Sequence, residues 1–255
     1  MSSAGNTIVA PWEVRTDDSR QPDTLANFII CCEDLEIEPN YFKSFERTGK
    51  VKVNEVPNQR AGLRNVNNAI THLIAEGLMI FENGKYVRPE HVTENVWCVF
   101  DRDREHLDPG QIQPVNNVEF DNAIQIAQNM QIKVAWSNDV FELWFLLHFE
   151  DVEPGVQLHR TVIYERLANY IAAIANPSPE LQRLLEGPNF RYDPLLKNKR
   201  NYLTITKPLL NGHTEAAIAR AITLQAAFNP NIPYHLQNPC TMVYLLVKEL
   251  IAAGN

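Results

Sequence analysis

Glu33, Asp101 and Asp103 are the residues of this chain best placed to do chemistry. Asp101 and Asp103 stand one residue apart in VWCVFDRDRE, Val96 to Glu105, where an apolar run gives way to alternating acid and base. If extended backbone persists to the end of that run, residues i and i+2 point to the same face and the two carboxylates lie side by side. Glu33 closes another apolar run, NFIICC, Asn27 to Cys32. Three converging carboxylates could hold one or two Mg²⁺ or Mn²⁺ ions, hard cations that take oxygen ligands, keep several waters and suit phosphate substrates. There is a plainer alternative. A lone DxD is a weak signal, and solvated loop ends or ion pairs with Arg102 and Arg104 would also account for it.

The elements that must position these groups can be read from the same pattern. Residues 1–23 are polar, carry Pro11 and Pro22 and show no period, which predicts a loose leader. NFIICC suits a strand buried on both faces, and Pro39 opens a helix that Gly49 closes. Lys50 to Val56 alternates as a second strand, and Leu63 to Glu76 has helical apolar spacing with Gly77 as its stop. A third strand is predicted at Val96 to Phe100, a helix at Phe120 to Met130 and a fourth strand at Ile132 to Trp136. Alternating β and α favours a parallel sheet with helices on both faces, over residues 24–150. In such sheets, sites form beyond the carboxyl ends of the strands, where Glu33 and the two aspartates fall. Beyond Glu150 helical patterns recur at Val162 to Ala175, Thr214 to Phe228 and Thr241 to Ala253, predicting a helical extension over residues 151–255.

Glu142 is a fourth candidate, a charge in the otherwise apolar Asp139 to Phe149, DVFELWFLLHF, which is expected to be a buried helix. It could be a ligand, or it could pair with Asp139 as the N3 and N-cap residues of a capping box. Glu38 reads as a first-turn residue favouring the helix dipole, and His148 as a core histidine. A basic cluster, Arg191, Lys197, Lys199, Arg200 and Lys207, is interleaved with Phe190, Tyr192 and Tyr202. It could track a nucleic-acid backbone while the aromatics stack on bases, or it could be a solvated surface. Lys197 and Lys199 are the candidates to stabilise charge on a phosphoryl transition state.

Composition narrows the classes. The formal charge of −8 argues against non-specific nucleic-acid binding over the whole surface, although metal ions would reverse the sign of an acidic site. The four cysteines, Cys31, Cys32, Cys98 and Cys240, show no zinc-like spacing and read as buried small hydrophobes in a reducing compartment. No membrane-spanning run or signal peptide is evident, so a cytoplasmic protein is expected. A phosphate-binding GxxxxGK[ST] loop, a GxSxG elbow and an HExxH pair are all missing, so ATP hydrolysis by this chain is not expected.

Taken together, IICCEDLEIEPNYFKSF, VWCVFDRD, AWSNDVFELWFLLHFE and NPCTMVYLLVKEL resemble the RloB family, in order and spacing, from about Thr24 to the C-terminus. The resemblance implies a Toprim-like Rossmannoid fold and a place in antiphage defence, in abortive-infection loci related to OLD-type nucleases, beside an AAA/ABC-type ATPase. It implies that Glu33, Asp101 and Asp103 bind Mg²⁺ for phosphodiester hydrolysis of DNA or tRNA. It adds Glu142 as a further ligand or base. The family's first block usually reads Glu-Gly, whereas Asp34 follows Glu33 here, and loss of that glycine would narrow the approach of phosphate to the backbone. A non-catalytic sensor subunit and a nucleotidyltransferase remain the alternatives. The sequence leaves the oligomeric state open, a homodimer included.

Overall fold

Five strands form one sheet, four of them parallel and the fifth joined antiparallel at one edge. The computed structural model describes residues 25–57, 61–104, 106–108 and 111–255, and the leader expected over residues 1–23 lies outside them. The chain runs β1 (Ala26–Cys32), α1 (Ile37–Lys43), β2 (Val51–Pro57), α2 (Gly62–Ala75), a small hairpin of β3 (Ile80–Glu82) and β4 (Lys85–Val87), β5 (Asn95–Asp101), α3 (Pro114–Asn129), β6 (Lys133–Asn138) and α4 (Glu142–Phe149). Helices α5 (Arg160–Ala172) and α6 (Pro179–Leu185) follow, then the short α7 (Tyr192–Leu195) and α8 (Lys199–Asn201), a π-helical turn Tyr202–Thr206, and α9 (Lys207–Leu210). The chain ends with α10 (Thr214–Ala226), β7 (Cys240–Thr241) and α11 (Val243–Gly254). β2, β1, β5 and β6 are parallel, and β7 joins β6 antiparallel through Ser137 and Asn138. This is a mixed α/β, Rossmann-like fold.

Alternation along the strands decides which layer each side chain enters. In β1, Phe28, Ile30 and Cys32 face a core built with α1, α4, α5, α10 and α11. Ile29 and Cys31 face the opposite core, with α2 and α3. Both faces are covered, so the central strands read as continuous apolar runs. The four cysteines are free and buried. Helix α4 is apolar all round because the sheet covers one side and the C-terminal helices the other; Leu143 to Leu147 are fully buried.

Some boundaries and elements differ from expectation. The first helix stops at Lys43 instead of reaching Gly49. The chain there folds back on β2: Arg47 bridges Val51, the Glu46 carboxylate accepts from the Val53 N–H at 3.0 Å, and Gly49 turns at φ 78°. Helix α3 begins at Pro114 rather than Phe120, with proline at its first position, where no N–H is needed. The β3-β4 hairpin and β7 have no counterpart in the sequence reading, and β7 brings a strand from beyond residue 150 into the sheet.

Candidate functional site

The chain lays β2 on one side of β1 and β5 on the other, so the crevice between β1 and β5 is where the strand order reverses. Their carboxyl ends deliver Glu33 and Asp101 to that crevice. Glu33 donates its N–H to Val99 O at 3.0 Å, and its Oε2 accepts the Asp101 N–H at 3.1 Å. Asp101 ends β5; its Oδ2 accepts from the Phe141 N–H at 2.9 Å, while its Oδ1 is buried without a hydrogen-bond partner.

Asp103 reaches the site by a different route from the one expected. The strand stops at Asp101, and Asp103 adopts φ 55°, so a turn rather than the strand pleat brings it to the same cavity. Its N–H donates to Asp139 O at 3.1 Å, and its Oδ1 accepts from Arg160 at 2.5 Å. Asp139, fully buried, holds the same turn through its side chain: Oδ1 accepts the Arg104 N–H at 2.6 Å and the Arg160 guanidinium at 3.2 Å, and Oδ2 accepts the Arg160 N–H at 2.8 Å.

Asp139 therefore does not cap α4, although it accepts the first N–H of α5. The N-cap of α4 is Phe141 and Glu142 is its first residue, so the capping-box expectation fails: Asp139 is committed to the turn that carries Asp103. Glu142 is 2% exposed; its Oε1 lies 3.4 Å from Lys197 Nζ, and its Oε2 is buried with no hydrogen-bond partner. Glu38 stands in the first turn of α1, as expected, but it is also buried against the site. Its Oε2 accepts the Asp34 N–H at 3.3 Å, and Asp34 in turn accepts from the N–H groups of Glu36 and Ile37 at 2.7 and 3.1 Å. Asp34 thus starts α1 and keeps a negative φ, so the backbone here does not require glycine.

Six carboxylates, from Glu33, Asp34, Glu38, Asp101, Asp103 and Glu142, line one cavity of about 210 Å³ together with Lys197. Burial raises Glu33 to about 7, against a hydrogen bond from the Asp101 N–H that lowers it, with the charge of Asp103 raising it further. Asp101 and Glu38 are pushed well up by burial and then by their carboxylate neighbours. Glu142 is raised by burial against the opposing pull of Lys197. Burial, the largest single influence, would lower Lys197, but Glu142, Tyr164 and Asp101 together outweigh it and keep the ammonium charged.

The donor set fits a divalent cation. Hard oxygen ligands crowd a small space, two buried carboxylate oxygens, Asp101 Oδ1 and Glu142 Oε2, have no partner, and mutual repulsion raises the proton affinity of the cluster. Among the described residues no three such side chains already converge at ligand distance, so the carboxylates ring the cavity rather than meet at a point. A wider cleft of about 580 Å³ opens on the other side of Asp101 and Asp103, with Arg64 and Arg102 in its wall.

The basic cluster divides. Lys197 joins the cavity, whereas Lys199 is outside the lining and gives its N–H to Glu36 Oε2 at 2.8 Å. Arg191, Lys199 and Arg200 are exposed, and Lys207 is half-buried. Tyr192 and Tyr202 are buried core residues with Phe190 packed against them, so the expected aromatic stacking platform is absent from this segment. His148 is buried, bonded through Nδ1 to Trp144 O at 2.9 Å and lowered by burial to about 4, as suits a core histidine. Arg160 and Tyr164 escaped the sequence reading, and Asp139 was read only as a helix cap. Arg160 and Tyr164 sit four apart at the start of α5, but nothing local says what that face meets.

These features define a Rossmann-like α/β protein with an acidic, cation-suited cavity at the switch point of its sheet. The family model of RloB-like proteins matches residues 28–250, and the chain belongs to that family. No curated protein and no solved structure matches the chain. No helix among the described residues is long and apolar enough to cross a membrane.

Proposed function

We propose that the chain is a metal-dependent nuclease of the Toprim type, acting in the cytoplasm as the effector of an antiphage system and governed by a partner ATPase. The observation that carries this reading is the carboxylate ring with two buried, unpartnered oxygens, Asp101 Oδ1 and Glu142 Oε2, facing one charged lysine. Glu33, Asp101, Asp103 and Glu142 would hold Mg²⁺ or Mn²⁺. When bound, the ion supplies Lewis-acid stabilisation of the charge that builds on a transferring phosphoryl group.

The chain's own groups do the rest. Lys197 presents an ammonium to the cavity, where it can bind a phosphate oxygen and stabilise negative charge. The Phe141 and Asp101 N–H groups fix the carboxylates of Asp101 and Glu33, which orients both without adding charge. Exposed Lys199 and Arg200, beside Lys197 in sequence, supply the phosphate contacts that place a strand over the cavity.

The test is to incubate the purified protein, with and without its neighbouring ATPase, with plasmid, linear DNA and total tRNA in Mg²⁺ or Mn²⁺. Cleavage by the wild type but not by an Asp101→Asn variant supports the nuclease and names its substrate class. Nucleotide addition in the presence of nucleoside triphosphates would turn the assignment to a transferase. Binding without any bond change would make the chain a sensor.

A further inference from the structure

Lys197 lies between α7 and α8, with its side chain about a third exposed (34%), and a long lysine in that position has no intrinsic reason to hold one rotamer. Tyr164 supplies one. Its hydroxyl accepts a hydrogen bond from Lys197 Nζ at 2.8 Å, and the ammonium sits 5.2 Å from the centre of its ring. The ring is itself braced, stacked at 5.6 Å and 19° on Tyr192, which is 1% exposed. Of the three N–H bonds of Lys197, one is thereby directed to Tyr164 and one faces Glu142 at 3.4 Å, leaving the third for the cavity that Lys197 lines.

The arrangement has a consequence for chemistry. Without the hydroxyl, the ammonium would be free to close on Glu142, its nearest carboxylate, and so cover an oxygen of the ring while withdrawing from the phosphate position. The same helix face carries Arg160, one turn earlier, against Asp103. α5 therefore meets the cationic partners at both ends of the cavity.

We propose that Tyr164 is a positioning residue for phosphoryl transfer, acting through Lys197; this rests on the nuclease reading above. Tyr164→Phe keeps the stacked ring and removes only the acceptor. With plasmid DNA and total tRNA as substrates and Mn²⁺ present, kcat should fall about tenfold while KM and the Mn²⁺ requirement change by less than about twofold. In a Lys197→Ala background the same substitution should have no further effect, because the tyrosine acts only through the lysine.

A readout independent of turnover is acylation of Lys197 by an amine-reactive reagent, followed by mass spectrometry. Tyr164→Phe should slow labelling at Lys197 several-fold, because the ammonium then closes on Glu142, and leave other lysines unchanged. Equal kcat in wild type and Tyr164→Phe overturns the proposal, as does a further loss in the Lys197→Ala background or an unchanged labelling rate. If the wild type cleaves neither nucleic acid, the nuclease reading fails, and the labelling comparison alone decides whether Tyr164 holds Lys197.

Discussion

The acidic cavity and the basic segment from Arg191 to Lys207 look alike in sequence, each a set of charges beside apolar or aromatic residues, yet the fold treats them in opposite ways. At the sheet's carboxyl edge Glu38 and Glu142 are buried, Glu33, Asp34 and Asp101 are half-buried, and Asp103 alone is exposed, and the apolar strands serve to bring them together. In the basic segment the aromatics are buried and most of the charges are left in water, with Lys197 alone entering the cavity. Burial, not composition, decides which charges can do chemistry, because only desolvated groups have strongly altered proton affinities and strong fields.

The sharpest way to break this contrast is Asp101→Asn. Cleavage should fall by about a thousandfold or more, as for the loss of a group acting in the transition state, while the metal-free protein becomes more stable because a buried, repelled charge is gone. Calorimetry without metal, alongside the cleavage assay, should show activity lost and Tm raised; a lowered Tm would mean that Asp101 is structural. Asp139→Ala should act in the reverse sense. It leaves the Arg104 and Arg160 N–H groups without their acceptor and costs about 3 kcal/mol in urea unfolding.

The buried His148 gives a pH signature of its own. Its folded value of about 4 lies below the ordinary 6.5, so the unfolded chain takes up a proton first as pH falls. Stability from this group is complete above about pH 6.5 and is lost, by about 3 kcal/mol, as pH drops toward 4. His148→Phe should flatten that part of the stability profile. The smallest effect belongs to the exposed bases. Lys199→Ala with Arg200→Ala should leave stability within about 0.5 kcal/mol, yet weaken nucleic-acid binding and reduce the slope of log K against log salt by about 2. An unchanged salt slope would place the strand elsewhere.

Much of the sheet was legible because its signals are local. NFIICC, KVKVNEV and VWCVF are short apolar or alternating runs, and the parallel topology that follows from βαβ order puts Glu33 and Asp101 in one crevice. What could not be read depends on pairings between distant residues. Glu142 meets Lys197, and Asp103 meets Arg160, only because α5 and the segment after α7 pack over the sheet's edge. The two-residue β7 is too short for any periodic signal, and the β3-β4 hairpin exposes Phe81 and Tyr86 rather than burying them. Glu38 looked like a helix-dipole residue because its burial comes from the loop at Asp34.

The most direct test of the account is a calorimetric titration of the purified protein with Mn²⁺ at pH 8 and at pH 6, for the wild type, Glu33→Gln and Asp101→Asn. Glu33 has shed its proton at pH 8 and largely keeps it at pH 6, so the ion must displace a proton at the lower pH. The wild type should bind at least about tenfold more tightly at pH 8, Asp101→Asn should not bind measurably, and Glu33→Gln should bind weakly, with a smaller pH dependence that comes from the remaining carboxylates. Equal Mn²⁺ binding by all three proteins would contradict the claim that the carboxylate ring is a cation site.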